Sequence, residues 1–197
     1  MKRLRAAVLI SGRGSNMMAL AEAARASDYP VTIDCVISNR PDAEGLAYAA
    51  RHGIAAKLID HREFASREGF EAALDRYLRA EAIDLIACAG FMRVLTGNFV
   101  AGWEGRMINI HPSLLPAYKG LHTHERVLAD GAPEHGCTVH QVTAELDAGP
   151  IILQARVPVM PDDTPETLAA RVLTEEHRIY PQALAMLARD IQAKTST

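Results

Sequence analysis

The chain has 197 residues, of which 49% are hydrophobic and 23% are charged. This length and balance are typical of about one globular domain with a sizeable core, and they exclude a disordered protein. The formal net charge of -3 gives no general attraction to nucleic acid or to an anionic membrane, so we expect small-molecule partners, no nucleic acid and no membrane.

The beginning of the chain is basic and then apolar, as a secretion signal would be. The apolar run covers only residues 6–10, which is too short for the hydrophobic part of a signal peptide or for a membrane span. The three cysteines, Cys35, Cys88 and Cys137, are widely spaced and form no CxxC pair, so neither a disulfide framework nor a cysteine zinc site is expected. We therefore expect a cytoplasmic protein.

The first half of the chain alternates short apolar runs with helical patterns. Strands are predicted at 6–10, 31–37, 55–59 and 83–87, and helices at 17–25, 41–52 and 66–80. This alternation predicts a parallel sheet with helices on both faces, connected by right-handed crossovers. Ligands are then expected at the carboxyl ends of the strands.

The second half breaks this rhythm. A short strand is predicted at 107–110, and two strands at 137–146 and 151–159 are predicted to form an antiparallel hairpin across residues 147–150. A long helix is predicted over 164–190, with Pro181 as a kink or a break. The predicted fold class is α/β: a Rossmann-like open twisted sheet, mostly parallel, with a C-terminal antiparallel hairpin and helices on both faces.

A glycine-rich turn, residues 11–16 (SGRGSN), lies between the first predicted strand and the first predicted helix. Backbone N–H groups and the helix dipole at such a turn form an anion site that suits a phosphate. The dinucleotide fingerprint lacks its third glycine, because that position is Met17, and no Gly-Lys-Ser/Thr follows as an ATP-binding loop requires. A tight turn in which Gly12 and Gly14 adopt positive φ explains the local sequence equally well.

Two polar residues, Asn109 and His111, lie two positions apart at the end of a predicted strand and just before Pro112. Side chains at this spacing on a strand face the same side. An amide donor beside an imidazole suits the stabilisation of an oxyanion and the transfer of a proton during acyl transfer. For an isolated pair, ordinary strand-end hydrogen bonding is the more frequent explanation, but the carboxyl end of a central strand favours function.

Asp147 follows the first predicted hairpin strand and is followed in turn by Gly149 and Pro150. An aspartate in a hairpin turn is common without any catalytic role. If its carboxylate folds back to His111, its charge is expected to raise the pKa of that histidine above its usual value of about 6.5.

Several potential metal ligands lie in the second half of the chain. They are His122, His124, His135, Cys137 and His140. Their spacing matches neither HExxH nor a pair of CxxC motifs, so we expect no metal, and structural or solvent-facing roles for most of these side chains.

Five segments carry a resemblance to a known family. They are 10–16 (ISGRGSN), 89–93 (AGFMR), 109–116 (NIHPSLLP), 120–124 (GLHTH) and 146–152 (LDAGPII). Together they closely resemble the glycinamide ribonucleotide transformylases, the folate-dependent phosphoribosylglycinamide formyltransferases of purine synthesis. The resemblance extends from residue 8 to about residue 180. The set is specific, although segment 109–116 alone is shared by folate formyl transferases and hydrolases.

The resemblance implies three groups of site residues. The catalytic residues would be Asn109, His111 and Asp147. The substrate phosphate and ribonucleotide would contact Gly14, Ser15, Asn16, Met17, Met18 and Glu176. The folate would contact Arg67, Met92, Arg93, Val94, Leu95 and Asn109. The resemblance also implies a cis bond between Leu115 and Pro116.

The implied reaction moves a formyl group from 10-formyltetrahydrofolate, the co-substrate, to the amine of glycinamide ribonucleotide, without a metal or a covalent enzyme intermediate. Asn109 and protonated His111 would stabilise an oxyanion, and Asp147 would place a water for proton transfer. The resemblance further implies one formyltransferase domain over 1–197, with a phosphate-binding half at about 1–105 and a folate-binding and catalytic half at about 106–197. The partners would be these two small molecules, and the chain would act as a monomer or a homodimer.

Three alternatives compete with this interpretation. A 10-formyltetrahydrofolate hydrolase would direct the same catalytic residues at water, but such enzymes typically carry an additional N-terminal domain. A methionyl-tRNA formyltransferase would need a C-terminal tRNA-binding domain and a basic surface. A noncatalytic folate-binding protein would explain the pocket without the three catalytic residues.

Overall fold

In the computed structural model, which describes residues 2–195, seven strands form one sheet in the order β3-β2-β1-β4-β5-β6-β7. The strands are β1 (Leu4–Ile10), β2 (Val31–Ser38), β3 (Ala55–Leu58), β4 (Leu85–Cys88), β5 (Met107–His111), β6 (Glu134–Gln141) and β7 (Ile151–Pro158). The first five run parallel, and β6 is antiparallel to both β5 and β7. The predicted fold class, including its C-terminal hairpin, is confirmed.

Six α-helices within residues 2–195 cover this sheet. They are α1 (Ser15–Ala23), α2 (Glu44–Arg51), α3 (Arg67–Ala80), α4 (Gly97–Gly102), α5 (Thr123–Ala129) and α6 (Pro165–Thr195), with one 3-10 turn at His61–Glu63. Helices α4 and α5 were not predicted, because six or seven residues are too few to establish a helical period. No helix within residues 2–195 is long and apolar enough to cross a membrane.

The central strand β1 is buried on both of its faces. Ala6, Val8 and Ile10 belong to one core cluster, which also takes in the apolar side of α6. Ala7 and Leu9 belong to the second cluster on the opposite face, where α3 and α4 pack. A strand covered on both faces must be apolar at successive positions, which is why β1 reads as a continuous hydrophobic run.

The second core cluster contains Trp103, the only tryptophan of the chain. Its side chain is 1% exposed, and its indole N–H donates a hydrogen bond to the carboxylate of Asp75 on α3 at 2.8 Å. A buried indole N–H needs such an acceptor. Trp103 therefore joins the end of α4 to α3.

Two details of the second half differ from the sequence prediction. Strand β6 ends at Gln141, so the hairpin connection begins at Val142 and is longer than predicted. The Val142 N–H donates to the Met107 carbonyl instead of continuing the β6–β7 ladder. A side chain at Gly149 would meet the Gln141 carbonyl oxygen at 1.8 Å, so only glycine lets this connection return so closely to β6.

Helix α6 continues through Pro181 to Thr195, so the predicted possibility of a break at this proline is wrong. Proline removes one helical hydrogen bond. Residues on both sides of it, Ile179, Tyr180, Ala183 and Leu184, are buried against the sheet, and this packing holds the helix together across the missing bond. The Leu115–Pro116 peptide bond is cis, as the resemblance implied.

Candidate active site

The polar residues singled out in the sequence gather at the carboxyl ends of β1, β4 and β5. The chain moves outward from β1 through β2 to β3 and then crosses back to β4 on the other side of β1. In open α/β sheets, the crevice at such a reversal of strand order is the usual ligand site. Two adjoining cavities lie here.

The first, named the glycine-loop cavity, is formed by the turn after β1 and by the loop of residues 89–96 after β4, the β4–α4 loop. Its lining is Ser11, Gly12, Arg13, Gly14, Ser15, Asn16, Ala89, Gly90 and Met92. The second, named the Asn109 cavity, lies between the β4–α4 loop and the β6–β7 connection. Its lining is Cys88, Phe91, Arg93, Val94, Leu95, Val100, Asn109, His140, Val142, Thr143, Ala144, Glu145, Leu146 and Asp147.

The glycine-rich turn has the backbone geometry of an anion site. Gly14 precedes α1 with φ +76°, a conformation that favours glycine. The first helical hydrogen bond joins the Met18 N–H to the Gly14 carbonyl at 2.9 Å, so the N–H groups before Met18 have no helical acceptor. The Met17 side chain is fully buried, which leaves its backbone alone to meet a ligand.

Asn16 and Glu176, both predicted to contact the ribonucleotide, are brought together across the fold. The Asn16 amide nitrogen donates to a carboxylate oxygen of Glu176 on α6 at 2.6 Å. Burial raises the pKa of Glu176 above its usual value, against the opposing effect of this hydrogen bond. The pair places a buried carboxyl group beside the glycine-loop cavity.

Asn109 lies on β5, with β4 on one side and β6 on the other. The antiparallel register of β5 and β6 places it opposite His140, and the amide nitrogen of Asn109 is 3.3 Å from His140 Nε2. The other ring nitrogen of His140, Nδ1, lies 2.9 Å from the Gln141 carbonyl oxygen, which can only accept. When the ring is neutral, His140 carries its proton on Nδ1 and its Nε2 accepts from the Asn109 amide. When the ring is protonated, Nε2 carries a proton that faces the Asp147 carboxylate instead.

Asp147 lies between the two histidines of this cluster. One of its carboxylate oxygens is 3.4 Å from His111 Nδ1, and the other is 3.6 Å from His140 Nε2. The Gly120 N–H also donates to it at 2.9 Å. The Asp147 carboxylate thus folds back to His111, which was the condition stated for coupling between the two residues. Asp147 has φ +50°, an uncommon conformation that aspartate tolerates better than most residues.

The predicted direction of the His111 pKa is wrong. Burial lowers the pKa of His111 below its usual value, and the Tyr118 carbonyl and Asp147, which both raise it, do not compensate. His111 is 5% exposed, so the cost of removing an imidazolium ion from water exceeds the attraction of one carboxylate. For Asp147 the balance is opposite: burial alone would raise its pKa, but His140, the Gly120 N–H and His111 together hold that pKa below the usual value.

The three predicted catalytic residues do not all face the same cavity. Asn109 and Asp147 line the Asn109 cavity, whereas His111 is not part of its lining. The Nε2 atom of His111 donates to the Tyr118 carbonyl at 2.9 Å. His111 therefore contacts a residue of the cavity wall, Asp147, but does not line the cavity itself.

The residues predicted to contact folate are divided in a similar way. Arg93, Val94, Leu95 and Asn109 line the Asn109 cavity, and Met92 lines the glycine-loop cavity. Arg67 is the first residue of α3, is exposed, and lines neither cavity.

The β4–α4 loop is fixed at its far end by a buried carboxylate. Glu71 on α3 is 4% exposed and accepts hydrogen bonds from the Thr96 N–H, at 2.7 Å, and from the Thr96 hydroxyl. Thr96 in turn caps α4, because its hydroxyl accepts from the Phe99 N–H. Glu71 therefore fixes the end of the β4–α4 loop that precedes α4.

The other three histidines considered above as metal ligands separate into two groups. His135 is buried, and its Nε2 lies 3.0 Å from Nδ1 of His124, whereas His122 is exposed and contacts Glu125. Within residues 2–195, no three histidine, cysteine, aspartate or glutamate side chains are grouped to bind a metal ion.

His140 is the residue of this cluster to which the sequence analysis assigned no site role. It is the last of six successive buried residues on β6, as an ordinary core histidine could be. Only the register of β6 against β5 reveals its contact with Asn109, and register is not readable from a single strand.

The formyl transferase family model matches residues 4–184 of the chain. The phosphoribosylglycinamide formyltransferase of Escherichia coli is 47% identical over 92% of this chain and 85% of that protein. The crystal structure of phosphoribosylglycinamide formyltransferase from Brucella melitensis is 52% identical, covers 95% of this chain and 96% of that one, and superimposes with a TM-score of 0.92.

Longer proteins also match. The trifunctional purine biosynthetic protein adenosine-3 of Drosophila melanogaster is 51% identical over 94% of this chain, and the human protein of the same name is 48% identical over 95% of it. This chain spans only 14% of the length of the fly protein and 18% of that of the human protein.

Proposed function

The chain belongs to the formyl transferase family, and from this premise we propose that it transfers the formyl group of 10-formyltetrahydrofolate to the amine of glycinamide ribonucleotide. The resemblance identified in the sequence is confirmed by the family match. The observation that carries the proposed activity is the position of Asn109 and Asp147 in one cavity, directly beside the glycine-loop cavity.

The two cavities suit the two substrates. The free N–H groups at the start of α1 suit a phosphate, which a helix N-terminus attracts. The Asn109 cavity has apolar walls, including Phe91, Val94 and Leu95, and polar groups at Asn109 and His140. Such a pocket suits a flat, partly polar ring system. The reduced folate would bring an activated formyl group into it.

In the proposed mechanism, Asn109 donates a hydrogen bond to the formyl oxygen. Negative charge grows on that oxygen as the substrate amine forms its bond to the formyl carbon. The amide has two hydrogens, so one stays with His140 while the other faces the cavity. This donor is preorganised by the 3.3 Å contact with His140.

Asp147 is proposed to assist the proton that must leave the attacking amine and reach the departing folate nitrogen. Its pKa lies below the usual value, so the carboxylate is ionised at neutral pH and can accept a hydrogen bond from the amine or from a water. His111 has Nε2 on the Tyr118 carbonyl and Nδ1 3.4 Å from Asp147. When the ring takes up a proton, Nδ1 donates to this carboxylate, and His111 is proposed in that form to orient it and to stabilise its charge.

A direct assay tests the proposal. The protein is incubated with 10-formyltetrahydrofolate, with and without glycinamide ribonucleotide, and the release of deformylated folate is followed. We expect release only in the presence of the ribonucleotide and in equal amount with formylated product. Release of formate without the amine would instead establish the hydrolase alternative, which none of the relatives named above supports.

The remaining predictions about the whole protein stay part of this proposal. They are a cytoplasmic location, a single domain over residues 1–197, small-molecule substrates without a nucleic-acid partner, catalysis without a metal, and action as a monomer or a homodimer. Size-exclusion chromatography with light scattering would measure the oligomeric state. A test for metal dependence is the same assay after treatment with a chelator, which we expect to leave turnover unchanged.

A further inference from the structure

A buried serine joins the two cavities. Ser11 is the first residue after β1 and is 6% exposed. Its backbone N–H donates to the Gly90 carbonyl at 3.1 Å, and its hydroxyl oxygen accepts from the Met92 N–H at 2.8 Å. These two hydrogen bonds fix the beginning of the β4–α4 loop, whose next residues line the Asn109 cavity.

The sheet order explains why one residue reaches two loops. Strand β1 lies between β2 and β4, and its register pairs Ile10 with Ser38 on one side and Leu9 with Cys88 on the other. Ser11 therefore stands between the loop that follows β2 and the loop that follows β4. On the β2 side, its hydroxyl lies 2.6 Å from the side-chain carbonyl oxygen of Asn39.

The direction of the Ser11 hydroxyl is determined by these two neighbours. A serine has a single hydroxyl hydrogen, which goes to the Asn39 oxygen because that oxygen can only accept. A lone pair is thereby turned toward the Met92 N–H. Asn39 is 2% exposed, and its backbone carbonyl is bound by His61 Nδ1 at 2.9 Å. The acceptor that orients Ser11 is therefore itself held in place.

We propose that Ser11 is a positioning residue for folate binding, although it belongs to the glycine-rich turn and does not line the Asn109 cavity. By binding the Met92 N–H, it sets the path of the main chain that carries Arg93, Val94 and Leu95 into that cavity. Glu71 fixes the other end of the same loop. This inference rests on the proposed function, because it takes the Asn109 cavity to be the folate site.

The test compares Ser11→Ala with a matched variant, Ser15→Ala, from the same turn. Both residues line the glycine-loop cavity, but only Ser11 is bonded to the β4–α4 loop within residues 2–195. Equilibrium titration with a reduced folate that lacks the formyl group, without ribonucleotide, measures the folate Kd. We expect Ser11→Ala to raise it by about tenfold, the effect of one lost hydrogen bond, and Ser15→Ala to leave it unchanged.

Asn39→Ala provides a second variant, since Asn39 lines neither cavity. It removes the acceptor that orients the Ser11 hydroxyl, and we expect a smaller increase in folate Kd in the same direction. Circular dichroism would show whether Ser11→Ala folds. If it does not fold, Asn39→Ala is used to test the proposal in its place.

The outcomes separate the two proposals. Wild-type folate binding together with unchanged affinity in folded Ser11→Ala would overturn the role of Ser11 alone. An equal loss of folate affinity in Ser11→Ala and Ser15→Ala would also overturn it, because the effect would then belong to the turn as a whole. Absence of folate binding by the wild-type protein would contradict the proposed function itself.

Discussion

The amide nitrogen of Asn109 lies 3.3 Å from Nε2 of His140, its neighbour across the β5–β6 pair. An asparagine amide can rotate to exchange its oxygen and nitrogen, and only the nitrogen stabilises an oxyanion. His140 offers an acceptor at this point, so it selects the orientation in which Asn109 presents N–H groups.

Asn109→Ala removes the proposed oxyanion donor. We expect kcat to fall by about 100-fold or more, the usual effect of losing one such donor. Steady-state kinetics with both substrates measures the effect, and the loss should not add to that of His111→Ala, since both act on one reaction centre. A change confined to KM, with kcat preserved, would contradict the assignment.

His140→Ala leaves Asn109 in place but removes its orienting acceptor. We expect kcat to fall by about tenfold, because the hydrogen bond that orients the Asn109 amide is lost, with little change in the KM for the ribonucleotide. The double variant with Asn109→Ala should be no slower than Asn109→Ala alone. The exposed His52, which caps the C-terminal end of α2, provides the control, and its replacement by alanine should leave kcat unchanged. If the losses of kcat in the two single variants were additive in the double variant, His140 would not act through Asn109.

Asp147→Asn tests the charge coupling between Asp147 and His111. The carboxylate raises the pKa of His111 against the stronger effect of burial, so its neutralisation should lower that pKa further. NMR titration of the His111 ring in both proteins measures the difference, and kcat should fall in parallel. If the ring titrates identically in the two proteins, the 3.4 Å contact does not couple their charges.

Ser15→Asp places a negative charge in the glycine-loop cavity. Like charges repel strongly at an anion site, so KM for the ribonucleotide should rise greatly while folate affinity stays nearly unchanged. Titration with each ligand separately provides the measurement. A ribonucleotide affinity equal to that of the wild type would remove the glycine-rich turn from the phosphate site.

The buried His135 predicts a loss of stability in acid. Burial, together with the nearby His124 and His111, lowers its pKa to about 4, whereas an unfolded histidine titrates near 6.5. Below pH 6.5 the unfolded chain therefore binds more protons at this residue than the folded chain does. The contribution of His135 to the free energy of unfolding should decrease as the pH falls toward about 4, and below that pH it should no longer change. Urea unfolding of wild type and His135→Gln across this range measures it, and the variant should show a shallower dependence.

The sequence predicted the parts of the molecule that rest on strong periodicity. The alternation of apolar runs and helices led to the parallel sheet, and the strand-end positions of Asn109 and His111 led to the site. The role of His140 depends on the register between two strands that are far apart in the chain, which no local pattern encodes.

The error in the His111 pKa has a related cause. Whether the pKa of His111 is raised or lowered depends on how deeply its ring is buried and on how closely Asp147 approaches it. The sequence indicated that a carboxylate was available, but it contained no measure of desolvation. The end of β6 was missed because a tertiary contact, the Val142 N–H with the Met107 carbonyl, defines it. Helices α4 and α5 were missed because they are too short to show a helical period.

The single indole of Trp103, buried where α4 meets α3, gives the protein an intrinsic optical reporter. An indole in an apolar core emits at shorter wavelength than one in water, so unfolding should shift the fluorescence to the red without any attached dye. Because α4 follows directly from Thr96 at the end of the β4–α4 loop, the same emission should report changes in that loop. A change in this emission on addition of folate, corrected for the absorption of folate itself, would show that binding reaches α4.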